Sequence, residues 1–220
     1  MIGNIRGHRD NNSIKQMRRY HMWNSMPYME RTLYNIFEQF NYKTANHGIS
    51  PKVLEEAKFR FKELSEKRVS RGENKEGIIA SCIYYACLAN NTPRSTKEIA
   101  KMFNIDHNIL TKGNTRFQNL LKINVKCSSP EDFIARYASK LNLEYDQIQE
   151  CKEIARKLDE LDVISENAPT SIAAGTLFLY TTVKGISITK AQLSKACDVS
   201  EVTITKCYKR LLKWKDYIIK

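Results

Sequence analysis

IAAGTLFLYTTVKGISITKAQLSKACDVSEVTITK, residues 172–206, decides the fold, because the chain contains the same object twice. Moved back by 94 positions it lies without a gap on residues 78–112, IIASCIYYACLANNTPRSTKEIAKMFNIDHNILTK. Each copy opens on an apolar run that includes small residues: Ile78, Ala80, Ser81, Cys82, Ile83 and Tyr84 in one, Ile172, Ala174, Gly175, Thr176, Leu177 and Phe178 in the other. Each then passes through a turn into a short helical segment ending at Ile99-Ala100 or Leu193-Ser194. A second turn follows at Asn104-Ile105-Asp106 or Asp198-Val199-Ser200, and the copies finish on Leu110-Thr111-Lys112 and Ile204-Thr205-Lys206. Few positions are identical, but residue class matches at nearly every apolar one, the signature of a direct repeat.

One copy can be read from elementary physics. Residues 78–89 are apolar on every side, so they predict a central helix enclosed by neighbours rather than a surface helix. The run is too short, and too closely followed by polar residues, to cross a bilayer. Its Ala, Ser and Gly positions admit other helices at about 8–10 Å between axes. Ser95-Thr96-Lys97-Glu98 has the pattern of a capping box opening a short helix, and Thr189 with Gln192 is its counterpart. Asp106 or Ser200 then caps a further helix. Helix, tight turn, helix is a geometry that lays a second helix in a major groove, although paired short helices also occur in any bundle.

Composition narrows the choice. The 220 residues split into two units of ordinary domain size, each able to bury its own core. A net charge of +12 favours a polyanionic partner over a merely solvated basic surface once its distribution is considered. Arg94, Lys97, Lys101, Lys112, Arg116, Lys122 and Lys126 face only Glu98 and Asp106 over the first helix pair. Lys184, Lys190, Lys195, Lys206, Lys209, Arg210, Lys213 and Lys215 face Asp198, Glu201 and Asp216 over the second. Residues 144–162, in contrast, hold seven carboxylates and three cations. Positive charge collects on the helix pairs, where a phosphate backbone would lie.

The six cysteines form no C-x-x-C, and no His stands at ligand spacing. Cys82 and Cys87 sit inside an apolar helix, and with the scattered Cys127, Cys151, Cys197 and Cys207 they read as small buried hydrophobes in a reducing compartment.

In chain order, residues 1–24 show neither helical nor strand period, carry Arg6, Arg9, Lys15, Arg18 and Arg19, and read as an arm. Trp23, Met26, Pro27 and Tyr28 break that polarity and dock, either on a partner or on the chain's own first unit. Leu33, Ile36, Phe37 and Phe40 recur at helical spacing. Ser50-Pro51 starts another helix with inner stripe Val53, Leu54, Ala57, Phe61 and Leu64. The second unit opens on Ser129-Pro130-Glu131-Asp132; its stripes are Phe133, Tyr137, Ala138 and Leu141, then Ile148, Ile154, Ala155, Leu158 and Leu161. Pro169 precedes its central helix, and no strand pattern of useful length appears. The expectation is all-α: an arm at 1–28 and two five-helix domains at 29–124 and 125–220.

Cys82-Ile83-Tyr84-Tyr85-Ala86-Cys87 with Pro93-Arg94-Ser95-Thr96-Lys97-Glu98-Ile99 resembles the first cyclin-like repeat of the transcription initiation factor IIB family. Pro169-Thr170-Ser171-Ile172-Ala173-Ala174-Gly175 with Val199-Ser200-Glu201-Val202-Thr203-Ile204 resembles the second. Residues 23–31, WNSMPYMER, are similar to the linker before the core in versions carried by large DNA viruses. The resemblance covers residues 29–214 and implies two cyclin-like five-helix domains clamping double-stranded promoter DNA bound by TATA-binding protein, and bringing in a multisubunit RNA polymerase. It implies a place in the nucleus, or in a cytoplasmic virus factory or virion for a viral protein, and no membrane partner.

Carried over residue by residue, the resemblance puts Val202 at the base-contacting position of the last helix, beside Thr203, and Thr205 where the family has an arginine. That exchange removes a bidentate contact to guanine and leaves phosphate anchoring to Lys206, Lys209 and Arg210. In the first repeat Arg71, Lys75 and Lys112 match DNA-facing positions, with Glu73 where a cation is expected. Arg18, Arg19, Trp23, Met26 and Tyr28 are the expected polymerase or partner contacts. The family also carries a zinc ribbon before its core; nothing before Cys82 builds one, so no cofactor is expected in this chain, and zinc only in a ribbon preceding Met1 of a longer protein.

A cyclin that binds and regulates a protein kinase is the alternative of another class. The kinase contact in cyclins uses a Lys on the central helix and a Glu on the last; residues 78–89 contain no Lys and residues 106–121 no Glu. An enzyme is not expected: histidines 8, 21, 47 and 107 have no evident nucleophile or carboxylate partner, and there is no glycine-rich phosphate loop.

Overall fold

The computed structural model describes residues 10–67, 71–122, 128–161 and 167–218. Among these the chain is all-α, with no strand. It falls into two compact units, residues 1–49 and 50–220, a division that puts both central helices in the second.

The first unit holds α1 (Asp10–Ser25) and α2 (Tyr28–Thr44). The reading of residues 1–24 as an arm without helical period is corrected over its described part, because residues 10–25 form a helix. Lys, Arg, Gln and Met at its centre favour helix intrinsically, and Ile14, Met17, Tyr20 and Met22 stay exposed, so no buried stripe marks it. Of the two alternatives for the aromatic cluster, the pin within the chain's own unit holds for Trp23, whose ring meets Tyr34 of α2 edge-on at 5.8 Å. Tyr28 is left 77% exposed.

The second unit begins with α3 (Pro51–Lys67), which takes Pro51 at its first turn and turns Val53, Ala57, Phe61 and Leu64 inward. It packs on α4 (Glu73–Ala89), whose residues 77–83 and 85–87 are all buried. This is the predicted central helix, begun five residues earlier than the apolar run. Two short helices, α5 (Thr96–Phe103) and α6 (His107–Leu121), close against it. Gly77 and Gly113 make the α4–α6 approach possible: a Cβ on Gly113 would lie 2.4 Å from the Gly77 carbonyl oxygen. Farther along, Tyr85 and Phe117 stack at 4.3 Å.

The same plan returns in α7 (Glu131–Lys140), α8 (Tyr145–Glu160), α9 (Pro169–Val183), α10 (Lys190–Cys197) and α11 (Glu201–Leu212), followed by the four-residue α12 (Lys215–Ile218). Helix α9 is buried along residues 172–177 and 179–181, and α7, α8, α10 and α11 all pack on it. The chain leaves α4 and α9 through left-handed residues at matching places, Asn91 (φ 53°) and Gly185 (φ 70°). Leu161 departs from its predicted stripe. Helix α8 ends at Glu160, so Leu161 falls on the cap, 53% exposed, where period no longer determines facing.

Candidate nucleic-acid interface

The two helix pairs are built on the same sequence of caps. Ser95 accepts the Glu98 amide at 3.1 Å, and the Glu98 carboxylate accepts the Ser95 amide at 2.9 Å. Thr189 and Gln192 repeat the exchange at 3.2 and 2.8 Å. Both predicted capping boxes therefore form. Each first helix ends on a left-handed residue that reverses the chain, Asn104 (φ 54°) and Asp198 (φ 57°). Two residues later Asp106 caps α6 and Ser200 caps α11, accepting the amides of Asn108 and Thr203.

Burial fixes which face of each second helix looks outward. In α11, Ile204, Cys207 and Leu211 point inward, with Cys207 Cβ and Leu211 beside Gly175 of α9. Val202, at 64% exposure, and exposed Lys206, Lys209 and Lys213 recur at helical spacing on the opposite side. Half-buried Thr205 shares that stripe, but its hydroxyl donates to the Glu201 carbonyl at 2.8 Å. Thr203 is tied into the cap, its hydroxyl 2.8 Å from that of Ser200. Arg210 is exposed next to the stripe. In α6, Leu110, Gly113 and Phe117 face inward, while Lys112 and Arg116 are exposed.

The remaining candidates lie on other elements. Arg71 is exposed just before the positive-φ Gly72, and Lys75 is half-buried in the first turn of α4. The observed α4 thus does carry a lysine, outside the residue 78–89 segment used to weigh the kinase-binding alternative. Arg18 and Arg19 are exposed on α1, and Met26 is half-buried. Sequence reasoning left Trp214, 40% exposed and 6.1 Å from the Tyr217 ring, out of the candidate set. The signal for it was present: an aromatic residue between Lys213 and Lys215, continuing the cationic stripe.

The chemistry these surfaces present is charge and shape. Five cysteines are free and buried, as small hydrophobes are; Cys127 lies outside the described residues. Burial pushes the thiols of Cys87 to about 11 and of Cys151 and Cys197 to about 12, and raises those of Cys82 and Cys207 too. Among the described residues no three His, Cys, Asp or Glu side chains gather where they could hold one metal ion. Among them, too, no helix is long and apolar enough to cross a membrane.

The model of the transcription factor TFIIB repeat matches this chain twice, at residues 30–122 and 123–214. The chain belongs to the TFIIB family. A transcription initiation factor IIB-like protein of Acanthamoeba polyphaga mimivirus is 32% identical over 216 residues, covering 89% of this chain and 47% of that protein. Transcription initiation factor IIB 1 of Thermoplasma volcanium is 29% identical over 182 residues, covering 83% and 58%. The chain therefore spans about half the length of the curated TFIIB relatives it matches. Among solved structures, a viral cyclin from herpesvirus saimiri covers 86% of each chain at 12% identity and a TM-score of 0.39, too low to add to the TFIIB assignment.

Proposed function

We propose that this TFIIB-family chain acts as a promoter clamp: its two repeats hold double-stranded DNA together with TATA-binding protein and bring a multisubunit RNA polymerase to it, without catalysis of their own. One observation carries the reading. The same doubly capped helix pair occurs twice, and both times the second helix turns cations outward, Lys112 and Arg116 in one and Lys206, Lys209 and Arg210 in the other. On this reading Lys206, Lys209, Arg210, Lys112, Arg71 and Lys75 meet phosphates, and Val202 meets a base edge. With Thr203 and Thr205 hydroxyls engaged locally, base reading is weak and affinity is chiefly electrostatic. Trp23 packed on Tyr34 leaves exposed Arg18, Arg19 and Tyr28 as polymerase contacts. The setting is the nucleus, or a virus factory or virion for a viral protein.

A gel shift tests the reading. A TATA duplex carrying TATA-binding protein should shift further on adding this chain. Failure to supershift, together with capture of a protein kinase, would reverse the conclusion in favour of the cyclin-type role.

A further inference from the structure

Charged side chains join the two repeats. The apolar core of the second is built wholly from residues between Phe133 and Leu211. Among the described residues, side-chain bonds cross from one repeat to the other at Arg136 and at Lys101. Arg136 of α7 donates from one guanidinium nitrogen to the Pro93 carbonyl at 2.5 Å and from the other to the Glu98 carboxylate at 2.7 Å. Lys101 of α5 donates to Asp198, the left-handed residue ending α10, at 2.5 Å. The Arg136–Glu98 pair is largely shielded, with side-chain exposures of 20% and 16%, whereas the Lys101–Asp198 pair is open to solvent.

Arg136 is held from behind as well. Its guanidinium lies 5.6 Å from the centre of the Phe133 ring and 5.4 Å from that of Tyr137, both on its own helix. A planar fork stacked on one repeat and bonded to two acceptors of the other has little freedom to rotate. Half-buried Arg94 adds to the positive field: its own burial first, and then the neighbouring Arg136 charge, hold it below the ordinary arginine range.

The joint also marks where the two copies differ. Across the gapless 94-residue correspondence, Glu98 is matched by Gln192, Pro93 by Ser187, Arg94 by Ile188 and Asp198 by Asn104. Gln192 caps its helix as well as Glu98 caps its own, so capping alone does not call for a carboxylate at residue 98. The charge is explained by Arg136.

We infer that Arg136, seated on Glu98 and the Pro93 carbonyl, is the pin that sets the angle between the two repeats, and is thereby a positioning residue for the two DNA-facing helix pairs. The second half of that statement rests on the clamp reading; the first does not. A clamp whose halves swivel binds only from the fraction of molecules at the right angle, and its apparent affinity falls by that fraction.

The test uses the full chain with spin labels on unnatural residues replacing exposed Lys62 of α3 and Glu153 of α8, and reads their distance distribution by electron double resonance. The variants are Glu98→Gln, which keeps the cap on the precedent of Gln192, and Arg136→Gln. A single narrow distance in the parent should broaden in both variants while the melting temperature barely moves. Unchanged widths in both overturn the pin. In the gel shift with TATA-binding protein, both variants should bind about tenfold more weakly, as a tenfold drop in the competent fraction requires. Broadened distances with undiminished binding overturn the positioning role. If the parent itself fails to shift the duplex, the clamp reading falls, and the distance distributions alone decide the pin.

Discussion

The two repeats solve one packing problem in opposite ways. Where the central helix meets the last helix, the first repeat sets Ser81 against Gly113, and the second sets Gly175 against Cys207, the same two positions 94 residues on. The larger residue has changed sides. In one copy Ser81 Oγ would stand 2.8 Å from a Cβ on Gly113; in the other Cys207 Cβ would stand 2.8 Å from a Cβ on Gly175. What the fold demands is the pair's combined volume, and either helix can supply it. The first repeat goes further: Gly113 also abuts the backbone of Gly77, whereas the second has Ser171 and Cys207 at those places.

That difference ranks the consequences of substitution. Gly113→Ala drives a methyl group into the Gly77 carbonyl, which no rotamer change relieves, so urea unfolding should show a loss of about 3 kcal/mol. Gly175→Ala meets the Cys207 Cβ and the Leu211 Cδ1 methyl, of which the methyl can turn aside and no carbonyl stands as close as in the first repeat, and should lose about 2 kcal/mol by the same measurement. Importing the first repeat's solution as Gly175→Ser with Cys207→Gly should recover all but about 1 kcal/mol, the helix penalty of the new glycine. Additive losses in the double variant would break the comparison.

The thiols supply a pH test of both repeats. Cys87 in the first, and Cys151 and Cys197 in the second, ionise near 9 when free of burial but near 11 to 12 when folded. The folded state therefore binds these protons more tightly, so stability is full below pH 9 and falls above it. Each such thiol contributes a loss of about 1.4 kcal/mol per pH unit between 9 and its folded value. Urea midpoints at pH 8 and 10 check the sign.

The caps should come out equal in the two copies. Ser95→Ala and Thr189→Ala each remove one acceptor for a helix amide and should lower stability by about 1 kcal/mol. A marked inequality would show that the inter-repeat joint leans on the Glu98 cap. Smallest in energy is the last contrast: on the proposed clamp function, Lys206→Ala with Lys209→Ala should flatten the salt dependence of DNA binding by about 2 in log–log slope, and Lys112→Ala by about 1.

How much of this was legible beforehand follows from the range of the forces. Capping boxes join residues three apart, and central helices declare themselves by apolar runs, so Ser95, Thr189, α4 and α9 could be read directly. Helix α1 escaped because periodicity detects burial, and its apolar residues remain exposed. Leu161 misled for the converse reason, having the period but lying past the helix end. Arg136 was invisible as a joint, since its partners lie 38 and 43 residues away and nothing local distinguishes it from a solvated cation.

The exchange of Glu98 for Gln192 has a consequence for assembly. A tandem duplication whose halves offered the same socket would invite the second half of a neighbouring molecule to plug into either one, and such head-to-tail contacts propagate into filaments. Here one half presents an anion and the other a neutral amide of almost the same shape. Substituting one atom type in a single side chain makes the two otherwise matching sockets distinguishable to an arginine such as Arg136.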